Sequence, residues 1–488
     1  MPAAKPKEKL WPEGNSMSRR EVSRRGFLSA SAAAGTAVMA HPVNLAAQTA
    51  GVKAGDLPDL TIKEAKIYVT DPSSWRNSGA GLSGGAEIAS LVTASGIEGN
   101  FTLGNRGNPP GWVDFAKSTC VGKNLYDILP TVAYMPNQTR PGGGAGAALP
   151  GAPAGGRAGA GAAAGGRGGA GAPGAARGGG GGGRGGGFIG GFNPGFASRP
   201  RGTTPNVHAA ACDFCLWDIL GKAVNRPIYR ILGGTKDRVL AYASSQHLAN
   251  VEDFGPDALK AKAAGLKAYK IHPGNGQRRS GGQIPAYLGH IEEIKEVRKA
   301  VGDDYTLLYD AVQRYNYYEA LKVGRALDEY GYVSFEDPMQ TYDIDALVEL
   351  RKHLDVPTEV GEFIISIYDY GEFISRGAMG IARLITDNLG GITGSFRVGQ
   401  LADAFGMPCT PHNWGAFFDL AAAFQVELAL PNCYWFEMPW PWEYPDRPYV
   451  KYKFRIDADG CVPAPTDPGM GYPLDRAALD KIMIRIDR

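Results

Sequence analysis

Cysteine is scarce in this 488-residue chain. Cys120, Cys212, Cys215, Cys409, Cys433 and Cys461 are too few and too scattered to form the staple framework of a small secreted scaffold. Long apolar runs are missing as well: no stretch approaches the roughly 20 residues that a membrane span requires. An excess of either charge is missing too, with 51 Lys/Arg against 49 Asp/Glu and a formal net charge of only +2. That value conceals unlike parts. Residues 1–50 carry seven Lys/Arg against three Glu, and 141–190 carry four Arg and no acid, so the remainder is net −6. A mildly acidic body argues against a nucleic-acid or anionic-membrane surface as the main business of the fold. At 44% hydrophobic residues, there is enough apolar material for two or three domains with sizeable cores.

Glycine is abundant, at 69 residues, and 25 of these fall within 141–190. That window is Gly, Ala, Pro and spaced Arg, with no aromatic before Phe188. It lacks the apolar surface to offset its ordering entropy and reads as a flexible, disordered loop insertion. RNA-binding Arg-Gly tails interleave aromatics and act beside a basic body, and neither feature is present.

At the N-terminus, Ser23-Arg24-Arg25-Gly26-Phe27-Leu28 precedes an uncharged, Ala/Ser/Gly-rich stretch from Ser29 to Ala40. This resembles a twin-arginine export signal, with residues 1–50 as signal and leader. The expected consequences are transit through the twin-arginine translocase and a periplasmic mature protein without a membrane span.

From Val239 onward, short apolar strands alternate with amphipathic helical stretches. The strands expected are Leu240–Ser244, Ala268–His272, Thr306–Asp310, Tyr332–Glu336, Thr358–Glu362, Arg383–Asp387, Met407–His412 and Tyr434–Glu437. Helical spacing is clearest over Tyr318–Tyr330 and Asp343–Leu354. Strand and helix alternate eight times in about 200 residues, the size and rhythm of a (β/α) barrel.

Asp310, Glu336 and Glu362 are spaced 26 residues apart, each directly after an apolar strand. In a barrel this sets three carboxylates side by side on the C-terminal rim. Their mutual repulsion implies a cation, and all-oxygen ligation favours Mg²⁺ over zinc. Lys270 and His272 end the second strand on one face. Asp387, His412 and Glu437 end the sixth, seventh and eighth. A cation flanked by Lys on one side and His on the other suits abstraction of a proton α to a carboxylate.

The strings Tyr309-Asp310-Ala311, Phe335-Glu336-Asp337-Pro338, Gly361-Glu362, Gly390-Gly391-Ile392-Thr393-Gly394 and Pro411-His412-Asn413-Trp414 resemble the enolase superfamily, mandelate racemase branch. Upstream, Trp217-Asp218-Ile219-Leu220-Gly221-Lys222 and Leu232-Gly233-Gly234 add to the resemblance, which runs from about Leu60 to about Pro445. It implies an α/β fold, a modified TIM barrel (β/α)7β with an N-terminal α+β capping domain. The boundaries expected are 58–236 for the cap, interrupted at 141–190, then 237–440 for the barrel, with 441–488 returning to the cap.

It further implies one Mg²⁺ on Asp310, Glu336 and Glu362, bases Lys270 and His412 on opposite faces, a sixth-strand Asp orienting His412, and Glu437 bonding the enediolate. Such assemblies tend to be symmetric homo-oligomers. The chain departs from the pattern in three places. His272 replaces the second Lys of Lys-x-Lys, so either Lys270 or His272 is the base. Asp387 precedes Gly390 by three residues where five are usual. Val312 stands where Asn is common.

The expected activity is Mg²⁺-dependent dehydration of an acid sugar, a small-molecule carboxylate, to a 2-keto-3-deoxy acid. Racemisation or epimerisation through the same intermediate, and a catalytically silent periplasmic binding protein, are the alternatives. Substrate identity is expected in cap loops 70–85 and 104–112, where Pro72, Ser74 and Trp75 lie. Cys212-Asp213-Phe214-Cys215 has the spacing of a redox or zinc half-site, but it falls in a helical pattern without a second Cys pair or His cluster and reads as structural. His208, His247 and His290 have no partner visible in the sequence.

Overall fold

A computed structural model describes residues 58–71, 86–103, 109–133, 207–274, 285–441 and 447–488. The export segment, the 141–190 insert and most of both cap loops, including Pro72, Ser74 and Trp75, lie outside the described residues.

The first part of the chain builds an antiparallel sheet. β1 (Ile62–Thr70) pairs β2 (Glu87–Thr93), and β2 pairs β3 (Glu98–Thr102). Two helices follow, α1 (Pro109–Thr119) and α2 (Leu125–Ala133), then α3 (Val207–Ala223) and one turn, α4 (Ile228–Ile231). α3 lies tight against the sheet because Gly99 has no side chain: a Cβ there would sit 2.0 Å from Cys215 O. Phe101 and Phe214 stack across the same contact at 4.0 Å.

The barrel begins with β4 (Arg238–His247) and continues through α5 (Val251–Ala263), β5 (Ala268–His272), α6 (Ala286–Val301), β6 (Thr306–Asp310) and α7 (Tyr317–Glu329). Then come β7 (Ser334–Glu336), α8 (Ile344–Arg351), β8 (Thr358–Val360), α9 (Ile367–Arg376), β9 (Ile381–Leu384) and α10 (Ile392–Ala404). β10 (Cys409–Pro411), α11 (Phe417–Ala429) and β11 (Trp435–Pro439) complete it. These eight strands form one parallel sheet in the order β10-β9-β8-β7-β6-β5-β4-β11. A parallel bridge between Cys409 and Cys433 brings its two ends together, giving a (β/α)7β barrel.

Local chemistry sets the helix starts. Asn316 and Glu319 form a capping box at α7, and Asp343 and Ser366 cap α8 and α9. α11 is buried at every position except Asp419, even at Gln425 and Glu427, and packs between barrel and cap. The tail adds β12 (Cys461–Pro463), α12 (Arg476–Ile482) and β13 (Met483–Asp487). β12 pairs β4 on the barrel, whereas β13 pairs β1, with Ile67 opposite Asp487. Among the described residues no helix is long and apolar enough to cross a membrane.

The expected strands Ala268–His272 and Thr306–Asp310 coincide with β5 and β6. Those expected to end at Glu362, Asp387 and His412 stop short of these residues. The polar residues have left the ladder: Gly361, at φ +150°, turns the chain before Glu362.

Candidate active site and metal centre

Asp310 and Glu336 end adjacent strands and face each other in register. Glu362 follows in the turn after β8. One carboxylate oxygen from each of the three lies within 4.8 Å of the other two. The loops that carry them stay bonded to the next strand, through Ala311 N to Glu336 O at 2.9 Å and Asp337 N to Glu359 O at 2.8 Å. Val312, Gln313 and Asp337 have positive φ (50°, 54° and 35°), so left-handed backbone strain gathers beside the ligand carboxylates. Three hard oxygen donors at this spacing, two of them on buried residues, fit a divalent cation of the Mg²⁺ type.

Beneath the trio lies a buried ionic layer. Lys270 Nζ is 2.6 Å from Glu336 Oε2, 2.5 Å from Glu437 Oε1 and 3.8 Å from Asp310 Oδ2, with the side chain 1% exposed. Burial and the nearby Arg383 oppose its charge. Glu336 and Glu437 outweigh them and hold the ammonium well above the usual lysine range. Arg383, from the interior of β9, is fully buried. Its Nε is 2.7 Å from Glu336 Oε1, an ion pair without hydrogen-bond alignment. Its terminal nitrogens reach Glu437, the Tyr242 hydroxyl and Pro411 O.

Glu437 has both oxygens occupied. Ser244 Oγ and Lys270 serve Oε1, and Arg383 and Asn413 N serve Oε2. Burial works against its charge, but Arg383, Lys270 and His412 keep the carboxyl well below the usual range. It is an ionised floor residue gripped by four donors.

Two imidazoles stand at the trio. His272 Nδ1 lies 2.7 Å from Ser245 O, an acceptor, so this nitrogen carries its proton there and Nε2 points to Asp310 Oδ2 at 3.0 Å. Against the effect of burial, His272 and Lys270 lower the Asp310 carboxyl far below its ordinary value. His412 follows β10, its main chain held by Leu384 O at 2.7 Å, and its Nε2 is 3.8 Å from Glu362 Oε1. The Asp387 carboxylate accepts Asn388 N at 3.0 Å, and Asn388 Nδ2 bonds Glu362 O at 3.2 Å. Of the residues expected at the site, the structure brings Asp310, Glu336, Glu362, His272 and His412 together at the top and sets Lys270 and Glu437 in the layer below them.

Sequence reasoning missed Arg383, Glu359 and Asp337. Glu359 is buried between Ser334 Oγ, at 2.5 Å, and Thr410 Oγ1. Asp337 is fully buried, one oxygen accepting Gly361 N at 3.3 Å and the other without a partner. Burial first, then Glu362 and Asp310, push its carboxyl well up. The only signal was a charge inside or directly after an apolar strand.

The Trp217–Lys222 string proves to be a join between cap and barrel. Trp217 Nε1 bonds Thr393 Oγ1, and Asp218 accepts Asn100 N, Met470 N and Lys222 Nζ. Cys212 and Cys215 are buried in the same helix, and burial pushes both thiols well up, the inert condition for cysteine.

A family model described as "Enolase C-terminal domain-like" matches residues 255–478. Arabinonate dehydratase of Saccharolobus solfataricus is 30% identical over 267 residues, 54% of this chain and 68% of that protein. D-gluconate dehydratase of Thermoproteus tenax is 28% identical over 277 residues, 56% of this chain and 55% of that one, so the match spans about half its length. Among solved structures, magnesium-complexed D-glucarate dehydratase from Agrobacterium tumefaciens aligns over 88% of this chain and 100% of its own, with a TM-score of 0.63 and 24% identity. At that identity the likeness speaks for the fold.

Proposed function

The chain belongs to the enolase superfamily, and from that premise we propose that it is a Mg²⁺-dependent dehydratase of an acid sugar, forming a 2-keto-3-deoxy acid. One observation carries the reading. The carboxylate trio has an imidazole at each end, His272 Nε2 at 3.0 Å from Asp310 and His412 Nε2 at 3.8 Å from Glu362. Similarity to an arabinonate dehydratase and a D-gluconate dehydratase supports the substrate class.

Asp310, Glu336 and Glu362 would hold Mg²⁺, which supplies positive charge to the substrate carboxylate and so favours loss of the α-proton. Lys270 is a poor base, because its ammonium is locked between two carboxylates. His272 is better placed: Ser245 O fixes Nδ1–H, and Nε2, facing Asp310 Oδ2 at 3.0 Å beside the carboxylate trio, is the nitrogen positioned to exchange the α-proton. His412 then delivers a proton to the departing β-hydroxyl. The C–H electrons form the enediolate and next the Cα–Cβ double bond, water leaves, and the enol tautomerises to the keto acid. Glu437 acts through Lys270 and Arg383 as a positioning residue, and Asp387 supports the His412 side of the site. Arg24-Arg25 and the Ser29–Ala40 stretch support export to the periplasm; cell fractionation tests this, with a cytoplasmic full-length product as the contrary result. We also propose a homo-oligomer, which light scattering checks.

Proton NMR of the protein with Mg²⁺ in deuterated water, against aldonic, aldaric and uronic acids, tests the reaction. A 2-keto-3-deoxy product is expected. Deuterium at the α-carbon with retention of the hydroxyl would replace dehydration by racemisation or epimerisation, and binding without exchange would make the protein a silent binder.

A further inference from the structure

Two residues after His272, α6 grips the chain where it leaves β5. Gly274 N lies 3.2 Å from each Glu293 oxygen, and Gly274 O faces His290 Nε2 at 3.1 Å. Both side chains are at most 2% exposed. The grip closes directly on the backbone: a Cβ at Gly274 would meet Leu248 O at 2.5 Å and Glu293 Oε1 at 3.0 Å.

The geometry fixes the protons. A carbonyl only accepts, so His290 Nε2 carries hydrogen. Nδ1 of the neutral ring then accepts from the Tyr315 hydroxyl at 2.8 Å, and the Tyr315 oxygen accepts from Tyr309 at 2.8 Å. Tyr309 precedes Asp310 on β6. A single polar chain therefore runs from the turn after His272, through α6, to the strand that carries the first ligand carboxylate. An apolar filling would pack the same space without the desolvation that buried Glu and His demand.

We propose that Glu293 and His290 are positioning residues that clamp Gly274 and thereby fix His272 against Asp310. The proposal rests on the reading of His272 as the base. Burial raises the Glu293 carboxyl to about 8, so the residue is neutral at pH 7 and Gln is its conservative replacement.

Glu293→Leu is expected to lower kcat by about tenfold or more, the usual scale for a residue that orients a reacting group, with KM within about twofold. Glu293→Gln should recover most of the wild-type kcat. Tyr315→Phe, which breaks the chain at its middle and keeps the ring, should lower kcat by roughly threefold to tenfold and serves if Glu293→Leu does not fold. Hydrogen exchange of the 268–274 peptide provides a readout free of turnover: Glu293→Leu should expose the Gly274 amide and Glu293→Gln should keep it protected. Equal losses in the Gln and Leu variants, or unchanged exchange in Glu293→Leu, would overturn the clamp. If the wild type turns over no acid sugar, the assigned reaction fails, and the exchange result still decides whether the clamp exists.

Discussion

Arg383 has no exposed surface and shares Glu336 and Glu437 with Lys270. Replacing such a group with an apolar side chain leaves buried carboxylates short of a cation, which costs about 3–5 kcal/mol. Arg383→Met should therefore destabilise the protein by that order in urea unfolding, and it should weaken Mg²⁺ binding because Glu336 loses the group that orients it. A variant with wild-type stability would show that Lys270 alone satisfies both acids. The same residue marks the limit of reading a site from sequence. Asp310 and Glu336 were legible because each closes an apolar strand, and the strand direction of a barrel delivers them to the rim. Arg383 sits inside Ile381–Leu384, where one charge among apolar residues gives no sign of which way it points. Lys270 and Glu437 were found, but not their depth. Whether a strand-end charge lies on the rim or on the floor beneath it depends on partners from other strands.

The join between α3 and α10 shows the same limit for elements. Asp213 accepts the Thr393 hydroxyl at 2.6 Å and Thr393 N at 3.2 Å, acting as a cap supplied from the other domain. Gly391, at φ +99°, is required there, because a Cβ would lie 2.3 Å from the Asp213 carboxylate. Burial outweighs the Thr393 bonds and raises Asp213 from 3.8 to about 7. Between those values the unfolded chain has released a proton that the folded chain retains, so stability falls as pH rises through the window and is level above it. Asp213→Asn removes this contribution. Its stability relative to wild type should improve between pH 5 and pH 7, by up to roughly 1.4 kcal/mol per unit crossed; parallel urea midpoints for the two proteins across that range would contradict the assignment. The Asp213 helix and α7 were both recognisable from their apolar spacing. The pairing of β1 with β13 was not, since nothing local in Ile62–Thr70 points to a partner more than 400 residues away.

At the scale of the molecule, Asp310, Glu336 and Glu362 lie above Glu359 and Glu437 in one barrel, and among the described residues Lys270 and Arg383 are the fixed cations paired with this set of five acids. The folded state thus carries a repulsion that the unfolded chain escapes, and a cation held by the trio relieves it. Because such an ion has a convergent site only in the folded protein, Mg²⁺ at about 100 times its dissociation constant should add about 2.7 kcal/mol of stability. Calorimetry should show Tm rising with Mg²⁺ and returning on chelation, while NaCl at matched ionic strength leaves most of the rise unmade. Glu362→Gln is the informative variant, because its side chain is 18% exposed and loses its charge without stranding a buried one. It should raise Tm slightly without metal, since one repelling charge is gone, and lose most of the Mg²⁺ response. A full response in Glu362→Gln would remove Glu362 from the ligand set and leave the ion, if bound, to Asp310 and Glu336.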